Sequence, residues 1–108
     1  MADNEQNQFG LNQRDMKTLL DILHKYSDVR DVFIFGSRAK GNFKHGSDID
    51  LAIMNPGVSD AIIVALKRDF ADSSLPYFVD VVNDHSLQHN DLKNHIDRVG
   101  VPFYRRGH

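Results

Sequence analysis

The chain is expected to fold as a small mixed β-sheet flanked by helices, an α/β arrangement of the α+β kind. Three observations predict this. Short apolar runs rich in β-formers alternate with segments of helical period. Glycine, proline and asparagine punctuate their ends. A length of 108 residues suffices to bury one core but not two.

Each element has its own warrant. Residues 13–26 carry Met16, Leu19, Leu20, Leu23 and Tyr26 at helical spacing, with Asn12 placed to cap the N-terminus. Residues 32–35 form a short apolar run ended by Gly36, the pattern of a strand buried on both faces. Residues 37–40 predict one helical turn and 41–46 a loop. A second strand over 48–54 is stopped by Asn55-Pro56-Gly57. Ser59 caps a helix reaching about residue 71, with Ile62, Ile63, Leu66 and Phe70 on one face and Asp60 in the first turn, where the dipole favours an acid. A third strand covers 77–82. Asn90 starts a last helix with Leu92, Ile96 and Val99 inward and Gly100 at its end, and 101–104 add an edge strand. The expected organisation is a flexible lead-in over 1–11, one domain over 12–104 and a tail over 105–108.

Composition narrows the functional classes. An apolar share of 41% with 26% charged residues is that of a soluble globular protein. The net charge is −2, and lysine and arginine are dispersed apart from Arg105-Arg106. A protein tracking an extended nucleic acid carries a basic stripe, so that class is set aside. No apolar run approaches membrane-spanning length, and the polar start carries no apolar leader core. The absence of cysteine excludes disulfides and thiolate metal sites and fits a cytoplasmic setting. His85 and His89 have a helical ligand spacing but fall in a polar segment with no carboxylate set, so they read as solvated loop histidines.

The chemistry concentrates in Phe35-Gly36-Ser37-Arg38-Ala39-Lys40-Gly41 and Ser47-Asp48-Ile49-Asp50-Leu51-Ala52. Strand alternation points Asp48 and Asp50 to one face and Ile49, Leu51 and Ile53 to the other. Two like charges on one face repel. A hard cation removes that penalty, and a Gly-Ser turn leading into a helix leaves backbone N–H groups for a phosphate. The plain alternative is two acids on a solvated sheet face. Against it, the same face continues with Ala52, and Asp80 stands between Phe78 and Val82 on a third strand. If the strands are neighbours, three carboxylates converge. Two lookalikes fail on specific residues. Gly36 and Gly41 have P-loop spacing, but Asn42 and Phe43 replace the required lysine and hydroxyl. Asp48-x-Asp50 starts like a calcium loop, yet a strand follows with no glycine at the turn.

Gly-Ser at a strand end, an acid-x-acid pair on the next strand and a third acid later resemble the DNA polymerase beta-like nucleotidyltransferase superfamily. The likeness is closest to its minimal, MNT-type, single-domain members. It runs from about residue 31 to 82 and more loosely through 101–104. It implies a nucleotidyltransferase-like fold and transfer of a nucleoside monophosphate, AMP in the first instance, from an NTP to a hydroxyl with release of pyrophosphate. Asp48, Asp50 and Asp80 would be catalytic and would hold magnesium, two ions during the reaction. Gly36, Ser37 and Arg38 would bind the nucleotide. The implied partner is a small helical protein of the HEPN type, with this chain as the antitoxin-like subunit of a two-component system and an oligomer as a further expectation. The alternatives are a non-catalytic nucleotide-binding or partner-masking subunit, and an enzyme of the antibiotic-modifying kind. Lys40, Lys44, His45 and Ser47 have no assigned role.

Overall fold

Asn12 opens the first helix as its spacing predicts. In the computed structural model, which describes residues 6–87 and 91–106, its side-chain oxygen accepts from the Asp15 N–H at 2.8 Å. Helix α1 runs Gln13–His24 and buries Leu19 and Leu23 completely. Strand β1 is Asp31–Phe35, and the single-turn helix α2 is Gly36–Lys40. Strand β2 is Ile49–Ile53 and helix α3 is Asp60–Ala71, where Ser59 accepts from the Ile62 N–H. Strand β3 is Val79–Asn83, followed by a short 3-10 turn over Asp84–Ser86. Helix α4 is Asp91–Val99 and strand β4 is Val101–Arg105. The capping expected of Asn90 and the solvated-loop reading of His89 lie outside the described residues.

The strands lie in the order β3-β2-β1-β4, so β4 takes the edge position its place in the chain suggested. β1 pairs antiparallel with β2 and with β4, and β2 pairs parallel with β3. A parallel neighbour needs a crossover, which α3 supplies. One sheet face presents Val32, Ile34, Ile49, Leu51, Ile53, Val79 and Val81 to a core shared with Leu19 and Leu23 of α1 and Leu66 and Phe70 of α3. On the other face, Phe35 and Ala52 pack with Ile96, Leu92 and Val99 of α4. Complete burial of each such leucine or isoleucine is worth roughly 1.5–3 kcal/mol.

Two boundaries differ from the sequence reading. Residues 6–11 are part of the fold: Phe9 and Leu11 are buried in the main core, and the Asn7 side chain accepts from the N–H groups of Phe9 and Leu11. A polar string concealed two apolar anchors and an Asx turn. At the other end Arg105 belongs to β4, and the Arg106 N–H donates to the Arg30 carbonyl, so the sheet extends past residue 104. β2 and β3 also start later than expected. β3 has β2 as its sole sheet neighbour, and the pairing begins at Ile49 with Val79. Asp48 therefore stands just before its strand. Among the described residues no helix is long and apolar enough to cross a membrane.

Candidate active site

The register of the sheet builds the site. Phe35 of β1 lies opposite Asp50 of β2, and Asp50 lies opposite Asp80 of β3. Two of the three predicted acids are thus direct cross-strand neighbours on parallel strands. Both are half-buried, on the face that α4 covers further along at Ala52 and Val82. With α4 over it there, this sheet face is not a wholly solvated one. Asp48, exposed and two residues from Asp50, stands just before the strand.

Electrostatics register the convergence. The Asp50 carboxyl is pushed above the usual carboxylate range, first by burial, then by the charges of Asp80 and Asp48, with His95 of α4 acting in the opposite sense. His95 also sets its ring edge-on to Phe35, with centroids 6.1 Å apart, so it lies on the same side of the sheet. Among the described residues, Asp80 is the acid of the three that makes an ion pair: the Lys67 ammonium of α3 lies 3.6 Å from its carboxylate. No sequence spacing links Lys67 or His95 to the motif. Lys67 follows the buried Leu66 on an ordinary amphipathic helix, and only the topology carries it to the acids.

Gly36 supplies the opposing wall. Its φ of 77° is in the left-handed region, and a Cβ added there would overlap the Asp50 carboxylate oxygen. The turn therefore brings backbone directly against the acid. Ser37 is the second residue of α2, whose N-cap position is Phe35, and no side chain caps the helix. Ser37 is thus not the cap that a purely local reading would make it.

Arg38, expected at the nucleotide, is placed differently. It is only 2% exposed, and its guanidinium donates to the carbonyls of Ser47 at 2.8 and 3.0 Å and of Phe9 at 2.7 Å. It lies 4.4 Å from the Tyr77 ring centroid and 5.2 Å from that of Phe43. Five planar donors suit a hub that ties several backbone carbonyls together. Arg38 clamps the 6–11 segment, the loop before Asp48 and the lead-in to β3. Lys44 and His45, without a role on sequence grounds, line a cavity of about 140 Å³ beside it, and the Ser47 hydroxyl accepts from the Lys44 N–H at 2.8 Å.

Among the described residues, no three histidine, aspartate or glutamate side chains are gathered closely enough to hold an ion unaided. The donor set nevertheless fits a hard divalent cation. It consists of carboxylates alone, one of them raised in pKa first by burial and then by the other two, beside the Gly36 turn. Magnesium sites of this type complete their shell with substrate phosphates and water.

The family model described as polymerase beta, nucleotidyltransferase, matches residues 17–108. The chain belongs to this family. It is 33% identical over 95 residues to the probable protein adenylyltransferase MntA of Haemophilus influenzae, a match covering 87% of this chain and 82% of that protein. Among solved structures, this nucleotidyltransferase superposes with a TM-score of 0.69 on a toxin-antitoxin crystallised with AMP-PNP, at 21% identity over 85% of this chain and 74% of that one. It gives a TM-score of 0.64 with a complex of tri-AMPylated Shewanella oneidensis HEPN toxin and MNT antitoxin, at 20% identity over 87% of this chain and 72% of that one. The mixed sheet flanked by helices is the fold of this nucleotidyltransferase family, as expected.

Proposed function

We propose that this chain transfers a nucleoside monophosphate from an NTP, ATP foremost, to a hydroxyl on a small helical partner protein of the HEPN type, as the antitoxin-like subunit of a cytoplasmic two-component system. The observation that carries the reading is the register pair Asp50–Asp80 set against the Gly36-Ser37 turn. The 33% identity to an MntA-type adenylyltransferase supports ATP as donor and a protein as acceptor. Solved relatives named for an AMP-PNP complex and for an AMPylated HEPN toxin support the same pairing. Phe78, exposed two residues before Asp80, puts an aromatic contact at the rim of the site, a residue type that interfaces favour.

In this mechanism Asp48 and Asp50 would hold a magnesium ion, and Asp80 with them would hold a second. The bound ions would stabilise charge on the attacking and leaving oxygens. The Gly36 and Ser37 backbone and the Ser37 hydroxyl bind the terminal phosphates, which leaves the α-phosphorus facing Asp80. Asp80 accepts the acceptor's proton. The acceptor oxygen forms its bond to the α-phosphorus as the bond to the β-phosphate bridge breaks, and pyrophosphate leaves. Arg38 takes part only by holding the loop that carries Asp48.

The test is label transfer in a lysate of cells producing the chain with its neighbouring gene product. Label from the α-phosphate of ATP should appear on a protein band. Label from the γ-phosphate alone would identify a kinase, and α-label confined to a small molecule would remove the partner protein from the reaction.

A further inference from the structure

The three acids are not equally compensated. Among the described residues no ion pair reaches Asp48 or Asp50, whereas Lys67 pairs with Asp80. Lys67 belongs to α3, whose buried side chains Leu66 and Phe70 pack on the opposite sheet face from the acids. Its ammonium gets to Asp80 because β3 is the outermost strand, and a long side chain passes round that edge. The pair is half exposed, at 48% for Lys67 and 38% for Asp80, and so contributes little to folding. Its consequence is electrostatic and local: it places beside Asp80 a positive charge of the kind a metal ion would supply.

We propose that Lys67 is a positioning residue that holds Asp80 as an ion pair until a divalent cation displaces its ammonium, so that the Asp80-side ion loads second and in competition with Lys67. This inference rests on the nucleotidyltransferase reading. The ion held by Asp48 and Asp50 has, among the described residues, no ion-paired ammonium to displace and loads first, with the nucleotide. A cleft of about 110 Å³, lined by Lys67, Ala71, Tyr77, Phe78 and Asp80, gives the released ammonium a place beside the acceptor side of the site. Asp80 then becomes available to metal and acceptor only after the donor nucleotide has been loaded, which guards against idle metal binding at the edge of the sheet.

The experiment counts bound Mn2+ by electron paramagnetic resonance on the full chain, with a saturating non-hydrolysable ATP analogue. The native chain should show a tighter and a weaker class of ion. Lys67→Met should tighten the weaker class on the order of fivefold, the scale of one half-exposed ion pair that no longer has to be broken, and leave the tighter class unchanged. Lys67→Arg should restore native behaviour, and in an Asp80→Asn background Lys67→Met should have no effect. Unchanged Mn2+ binding in Lys67→Met overturns the proposal, as does a gain that persists without Asp80. A raised KM for ATP with unaltered Mn2+ affinity would make Lys67 a phosphate ligand and overturn it too. Binding that vanishes in Asp50→Asn but ignores Lys67 removes this inference alone. Absent Mn2+ binding, or binding indifferent to Asp50, removes the metal assignment itself.

Discussion

Replacing Gly36 by alanine separates the two reasons for a glycine at this position. The residue has φ 77°, where an L side chain is strained by roughly 1–2 kcal/mol. The new Cβ would also overlap the Asp50 Oδ2 atom and lie 3.3 Å from its Cγ. Asp50 sits within a paired strand, so relief requires rotating its carboxylate off its rotamer, at a further cost of about 1 kcal/mol. The expected loss is about 2–3 kcal/mol, or roughly 10–20 °C in a domain of this size. The moved carboxylate should abolish label transfer even at temperatures where the variant is fully folded. Gly41→Ala is the control. Its φ is 84°, but an added Cβ meets nothing within 4 Å, so it carries only the backbone strain. It should lower the melting temperature by about half as much and leave transfer near native. The reasoning fails if Gly36→Ala folds and transfers like the native chain, or if Gly41→Ala loses as much transfer as Gly36→Ala.

Three further perturbations test separate parts of the structure. Asp50→Asn should abolish transfer yet hold or raise the metal-free melting temperature at pH 7. The folded-state pKa of Asp50 is raised, so the group costs stability as pH rises through that pKa, and the advantage of the variant should disappear in acid. Arg38→Met should strip hydrogen bonds from the carbonyls of Phe9 and Ser47 and destabilise the fold by roughly 3 kcal/mol in urea titration. Any folded Arg38→Met should bind ATP normally, and selective loss of ATP affinity would restore Arg38 to the phosphates. Tyr26→Phe removes the hydroxyl that donates to Asp69 and chiefly holds that carboxyl below its usual range. A lowered carboxylate stabilises above its unfolded pKa and loses that contribution as pH falls. The Tyr26→Phe deficit should therefore be full at neutral pH and shrink in acid melts.

Local chemistry explains why most elements were legible. Asn12 and Ser59 announce their helices because a short polar side chain satisfies the open N–H groups of a first turn, and both do so here. Leu92, Ile96 and Val99 declare the inward side of α4 by period alone, and all three join the second core cluster. The sequence reading failed where a signal was diluted. Phe9 and Leu11 sit among Asn and Gln residues, too few to show a period, and the Asn7 turn that folds them inward resembles any polar loop. Strand order and the parallel pairing of β2 with β3 depend on contacts between residues about thirty apart, which no local pattern specifies.

The site divides along the same line. Asp48, Asp50, Asp80 and Gly36 stood out in the sequence because each strains a local preference: acids within or directly before apolar strands, and a glycine where a strand should continue. A residue that is costly locally has to be explained by something non-local. Arg38 and Lys67 violate nothing. An arginine on a one-turn helix and a lysine on an amphipathic helix both look like ordinary solvated cations. Yet one is buried against three backbone carbonyls and two aromatic rings, while the other reaches round a sheet edge to an acid. Long basic side chains carry their charge about 6 Å or more from the backbone, so their partners are set by tertiary geometry and not by neighbours in sequence. The motif therefore points to the proposed reaction centre, whereas only the fold brings Arg38 to the loop before Asp48 and Lys67 to Asp80.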